Sequence, residues 1–184
     1  MAVQFQHWHF TVDHFRSITR LGIIDKEAPA ELISGRIIKV PAAGSLHAAS
    51  IHAARRILAA APDGDWTVRV QKPVRLANDS QTKPDITLLS RRNRGSAYPT
   101  AADILLLIEV SDTTLDYDQE VKVPLYAASG IPEVWITDLK GGRIGRFSEP
   151  REGRYRMVAH ARRGETMASL VLPAIAIAVD DVIQ

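Results

Sequence analysis

The chain has 184 residues, 46% of them hydrophobic, no cysteine and a formal net charge of +2. That length and apolar content suit one globular domain over residues 1–184, and the absence of cysteine excludes disulfides, thiolate metal sites and cysteine nucleophiles. No basic segment followed by an apolar core opens the sequence and no apolar run reaches membrane-spanning length, so a soluble, cytoplasmic protein is the expectation.

Thr11 stands as an N-cap ahead of Phe15, Ile18 and Leu21, whose spacing predicts a first helix that Gly22 can end. Residues 31–33 and 36–40 flank Ser34-Gly35 and predict a tight hairpin, with glycine supplying the positive φ. Ser45 can cap an Ala-rich helix to about Ala61, closed by Pro62-Asp63-Gly64. Residues 66–71 alternate as a strand, 73–76 continue extended, 78–80 make a turn, and 86–89 form the next strand. The run Ile104 to Val110 is apolar enough for a buried strand. A helix is then expected from about Asp118 to Gly130, with Pro124 early in it causing a mild kink, and with Lys122, Tyr126 and Ser129 on one face. Residues 132–137 predict another buried strand, and 143–147 with 155–160 an antiparallel extension. This order predicts an α/β fold with a mixed sheet.

Charge is unevenly spread. Asp103, Glu109, Asp112, Asp116, Asp118 and Glu120 fall in a stretch without Lys or Arg, whereas residues 141–163 hold seven arginines against Glu149 and Glu152. The acidic stretch calls for cations. The basic one, with Arg91, Arg92 and Arg94, suits either a polyanion such as nucleic acid or a solvated surface, since the planar guanidinium donates two parallel hydrogen bonds to phosphate.

Glu109 is out of place in its apolar run. A buried carboxylate needs a cation, a metal or a proton. Strand alternation puts Glu109 on one face with Leu107 and Ser111. In nucleases of the PD-(D/E)xK type an Asp opens one strand, and the next carries an acidic residue two positions before a lysine. Here Pro84-Asp85 supplies the first part and Glu109, 24 positions later, the second, but Ser111 holds the lysine position. Lys122, 13 positions beyond Glu109 on the expected helix, can reach the same place. Glu109 therefore either binds a cation together with Asp85 or forms a structural ion pair with Lys122, and Asp85 by itself can be a strand-opening cap.

The segments Thr11 to Phe15, Ala30 to Gly35, Leu46-His47-Ala48, Gln71 to Leu76 and Lys83 to Ile86 resemble the Uma-type family of restriction endonucleases. So does the more specific series Glu109-Val110-Ser111-Asp112-Thr113, Tyr117-Asp118, Lys122, Tyr126 and Gly130 to Trp135, so the likeness covers nearly the whole chain. The resemblance implies a restriction-endonuclease-like mixed central sheet flanked by helices, with an N-terminal hairpin and C-terminal antiparallel strands. It implies a metal-dependent endonuclease acting on DNA, with Asp85 and Glu109 as metal ligands, Lys122 as the relocated lysine, and Glu31, His47 and Gln71 as supporting polar residues. Hard-cation chemistry adds the carbonyl of Val110 and makes Mg2+ the expected ion, with Mn2+ able to substitute. A homodimer is expected because cutting two strands is often done by paired sites. Ser34 departs from the family's usual Asp, which bears on the turn. The alternative is a catalytically silent nuclease-like module that binds nucleic acid or a protein partner.

Overall fold

Thr11 caps the first helix as its sequence context predicts. Its Oγ1 accepts from His14 N, and His14 Nδ1 accepts in return from Thr11 N, a reciprocal capping box. Thr11→Ala is expected to cost about 1 kcal/mol in a urea titration; an unchanged midpoint would mean the box adds nothing to the folded state.

The protein, seen in a computed structural model, is described over residues 7–24, 29–41, 43–62, 64–91 and 98–183. Its elements in order are α1 (Val12–Arg20), β1 (Ala30–Ile33), β2 (Arg36–Lys39), α2 (Ser45–Ala60), β3 (Trp66–Val70), β4 (Val74–Ala77), β5 (Ser80–Thr82), β6 (Ile86–Ser90) and β7 (Ile104–Ser111). Then follow α3 (Leu115–Tyr117), a π-helical turn (Asp118–Lys122), α4 (Val123–Ala128), β8 (Glu133–Asp138), β9 (Arg143–Arg151), β10 (Arg154–Arg162), β11 (Thr166–Ala168), β12 (Ala176–Ala178) and α5 (Val179–Val182). They form two compact units, Met1–Ala42 with Arg75–Thr82, and Ala43–Val74 with Lys83–Gln184.

In the first unit a four-stranded sheet runs β2-β1-β5-β4. The β1–β2 hairpin pairs Ala30 with Lys39 and Ile33 with Arg36. Its two-residue turn takes positive φ at both positions, 47° at Ser34 and 73° at Gly35, so the strain falls on Ser34 as well as on the glycine. Val12, Phe15 and Leu32 form this unit's core. Strand β5 adds to the expected turn at 78–80; its Ser80-Gln81-Thr82 is too short and polar to announce a strand, yet all three residues are buried.

The second unit is built on a six-stranded sheet, β10-β9-β8-β7-β6-β3, in which β7 and β8 are parallel and the other neighbours antiparallel. Strand alternation divides β7 cleanly. Leu106, Ile108 and Val110 enter a core with Ile51, Ala54 and Leu58 of α2, while Leu107, Glu109 and Ser111 face the other way, toward the α3–α4 helical stretch. Strands β11 and β12 and helix α5 close the α2 side through Met167, Ile177 and Val182, an addition that short, weakly patterned segments did not announce. Glu133, fully buried, takes a structural part: it accepts from Trp135 Nε1 and from the backbone N–H groups of Leu170 and Val171, tying this C-terminal segment to β8.

Two local expectations are corrected. The N-cap of α2 is Gly44, and Ser45 is its first helical residue, with no side-chain capping bond. The helix expected from Asp118 begins at Leu115, and its irregularity is the π turn that ends at Lys122, two residues before Pro124. Proline removes a donor and its ring crowds the preceding carbonyls, and a wide turn just before it relieves both.

Candidate active site

Asp85 directly precedes β6 and is 8% exposed, and Glu109 on β7 is 2% exposed. Because Ile86 pairs with Ile108, the antiparallel register brings Asp85 level with Glu109, and the Asp85 N–H donates to Glu109 Oε2 at 3.1 Å. Lys122 Nζ donates to Glu109 Oε1 at 3.1 Å, and Tyr126 Oη donates to the same oxygen at 2.5 Å. That is the range of a charge-assisted O–H···O⁻ bond. Lys122 is 6% exposed, so Glu109 is neutralised in a buried setting.

The Asp85 carboxylate is fixed from several sides. Its Oδ2 accepts from Val110 N at 2.9 Å and from His47 Nε2 at 3.0 Å, and its Oδ1 lies 3.4 Å from Gln71 Nε2. His47 comes from the first turn of α2. Gln71 follows β3 with φ of 48°, in the left-handed region that non-glycine residues seldom occupy, and its backbone N–H donates to the Asp85 carbonyl. Deeper in the group, Asp118 Oδ2 accepts from Ser111 Oγ and Thr114 Oγ1, and its Oδ1 is 3.5 Å from Lys122 Nζ.

The structure thus brings Asp85, Glu109, Lys122, Gln71, His47 and the Val110 backbone into one hydrogen-bonded group. Glu31 lies in the first unit, 2% exposed on β1. Ser129 turns its hydroxyl to the Leu125 carbonyl and takes no part in the group. Two carboxylates and a backbone residue make an oxygen-rich donor set, the kind that suits a hard divalent ion, and Oδ1 of Asp85 holds only a long contact. Among the described residues no three His, Asp or Glu side chains are arranged to hold a metal, so a fit rests on the two carboxylates.

A family model named Uma2 and described as "Putative restriction endonuclease" matches residues 13–180. The chain belongs to the Uma2 family. No curated protein matches it. Among solved structures, a crystal structure described as a putative nuclease belonging to DUF820 from Anabaena variabilis ATCC 29413 is similar, with a TM-score of 0.67 and 14% identity, over 94% of this chain and 97% of that one. The likeness shows that this Uma2 chain has the restriction-endonuclease-like fold expected from its sequence.

The arginine-rich segment of this Uma2 protein forms the β9–β10 hairpin. Arg143 pairs with Asp138, Arg163 with Asp180, and Arg146 donates to the Ala168 carbonyl. Arg154, Arg156 and Arg162 are exposed on β10, the edge strand, while Arg92 and Arg94 lie outside the described residues.

The His47–Asp85 contact predicts a pH dependence. Its hydrogen bond with Asp85 holds the imidazole pKa above its ordinary value of 6.5, against an opposing effect of burial. A raised folded-state pKa contributes stability that is fully present below about 6.5 and is lost as pH rises through the folded value. With chelator present, the gap in urea midpoint between wild type and His47→Gln is expected to be widest at acid pH. A gap that is constant from acid to alkaline pH would contradict this.

The sequence marks Asp118 only as one acid of the stretch that calls for cations and as the expected helix start, and gives Thr114 no signal. Their link to Lys122 depends on the π turn and on Ser111 facing inward, and only the second has a sequence signal.

Proposed function

We propose that this chain is a divalent-metal-dependent endonuclease that hydrolyses DNA phosphodiester bonds, using Mg2+ with Mn2+ able to substitute. The observation that carries the reading is the convergence of Asp85 and Glu109 with Lys122: the Asp85 N–H and the Lys122 ammonium each donate to Glu109, 24 and 13 positions away. Asp85 and Glu109 would hold the ion. The Val110 carbonyl would join them, since an extended residue directs its N–H and C=O to the same side and the Val110 N–H points at Asp85. Such an ion supplies Lewis-acid stabilisation of charge on the scissile phosphate. Lys122 neutralises negative charge at the same place and orients the water whose oxygen attacks phosphorus as the P–O ester bond breaks. Gln71 and His47 hold Asp85 in position. Glu31 is assigned a supporting role on the family resemblance alone.

The exposed Arg154, Arg156 and Arg162 supply phosphate contacts, and the family match spanning 13–180 supports treating both units as one nuclease-like domain over 1–184. No helix among the described residues is long and apolar enough to cross a membrane. The reading places the protein in the cytoplasm, acting on DNA as a homodimer.

A second reading has one observation in its favour: Glu109 is already closed over by Lys122 and Tyr126, as in a nuclease-like module that binds nucleic acid or a protein without cutting. Incubating the purified protein with supercoiled plasmid and Mg2+ or Mn2+ separates the two. Metal-dependent nicking is the expected result. No cleavage of any DNA form, with no metal binding by calorimetry, would leave the second reading.

A further inference from the structure

Regular α-helix geometry does not account for the alignment of Asp118 with Lys122 and Tyr126. Asp118, Lys122 and Tyr126 are spaced by four, and a four-residue step overshoots an α-helical turn of 3.6 residues by about 40°, so two such steps would drift by about 80°. The π turn over Asp118–Lys122 takes an extra residue into the turn and winds this drift back. Lys122 and Tyr126, one α-helical step apart, both reach Glu109 Oε1, and as a result of the π turn Asp118 still lies against the Lys122 ammonium.

Asp118 is itself clamped. It is 3% exposed, and its Oδ2 accepts from Ser111 Oγ at 2.8 Å and Thr114 Oγ1 at 2.7 Å, leaving Oδ1 toward Lys122 Nζ at 3.5 Å. Ser111 is the residue at the strand position where a PD-(D/E)xK nuclease carries its lysine. The hydroxyl in that slot is therefore connected, through one carboxylate, to the lysine that stands in for it. Two hydroxyls donating to a single carboxylate oxygen fix its rotation, and the fixed Oδ1 gives the ammonium an acceptor in addition to Glu109 Oε1. A lysine ammonium sits on a flexible four-carbon stem, so losing one of the groups that hold it widens the range of positions it samples.

We propose that Asp118, clamped by Ser111 and Thr114, is the positioning residue of this site: it holds the Lys122 ammonium against Glu109. Its consequence for catalysis rests on the nuclease reading above; its effect on Lys122 does not. A helix-stabilising role for Asp118 would alter unfolding but leave Lys122 where it is.

The full chain labelled with 15N-lysine tests the geometry without any assay of activity. The wild type is expected to show a protected ammonium resonance, assigned to Lys122 by its absence in Lys122→Met, and Asp118→Asn should lose it while keeping the far-UV circular dichroism of the fold. Should Asp118→Asn fail to fold, the pair Ser111→Ala and Thr114→Val loosens the clamp with the carboxylate retained, and the resonance should broaden in each. In plasmid cleavage, Asp118→Asn is expected to lower kcat by about 10–100-fold with KM for DNA unchanged. Added to Lys122→Met it should cause little further loss, because it acts through that lysine. An unchanged Lys122 resonance in Asp118→Asn overturns the proposal, as does a loss of activity that multiplies with that of Lys122→Met. If the wild type cuts no DNA with any divalent metal, the nuclease reading falls and the resonance alone decides the positioning role.

Discussion

Lys122→Met is expected to destabilise the protein by about 3–5 kcal/mol, the range for removing one partner of a buried ion pair. The methionine fills much of the same volume but leaves Glu109 and Asp118, 2% and 3% exposed, without the ammonium that lies 3.1 Å and 3.5 Å from them. The cost is electrostatic and steric terms are small. Tyr126 and the Asp85 N–H still donate to Glu109, which keeps the figure within that range. Guanidinium denaturation with chelator present gives the number. Repeating it with Mn2+ asks a sharper question, because a cation bound by Glu109 and Asp85 replaces part of what the lysine supplied. The variant should then gain more stability from metal than the wild type does, although it cleaves DNA less well. If neither protein is stabilised by any divalent ion, the metal site is refuted and Lys122–Glu109 is a structural pair. A loss under about 1 kcal/mol would mean that Lys122 is not the cation that neutralises Glu109.

Asp85→Asn should behave in the opposite way. The amide oxygen can still accept from Val110 N and the change of shape is negligible, so at alkaline pH, where His47 is uncharged, folding should survive nearly intact; at acid pH the variant also loses the His47–Asp85 pair. What is lost is the negative charge next to Glu109. Metal affinity should fall beyond detection by calorimetry, and cleavage on the order of 10³-fold, equivalent to about 4 kcal/mol of transition-state stabilisation. Wild-type rates in this variant would exclude Asp85 as a ligand, whatever the fold. Read together at alkaline pH, the two variants separate the two tasks of the group: Lys122 should matter to both stability and cleavage, Asp85 chiefly to cleavage.

The parts of the fold that could be read in advance are those governed by local chemistry. Thr11 heads a helix because a hydroxyl satisfies an orphan N–H in any context, and Ser34-Gly35 turns because a two-residue hairpin demands left-handed backbone. The buried strand at Ile104–Ser111 followed from composition, and the inward orientation of Glu109 and Ser111 from alternation. Strands β5, β11 and β12, each three residues long, have no local signal strong enough to announce them. The π turn likewise has no residue code beyond the proline that follows it. For Tyr126 and Lys122 a shared helix face was legible, but that both would meet on one oxygen of Glu109 was not.

The amino-acid order by itself determined that Asp85, Glu109 and Lys122 were the residues to follow, because a carboxylate in an apolar strand cannot stay uncompensated and Ser111 stands where a lysine would otherwise supply the charge. The tertiary structure alone decided how they meet. The β6–β7 register set Asp85 level with Glu109, a left-handed Gln71 and the start of α2 brought donors to Asp85 from 14 and 38 positions away, and the π turn put Asp118 in phase with Lys122. Register and helical phase are cooperative properties of packed elements, and so no short stretch of sequence encodes them.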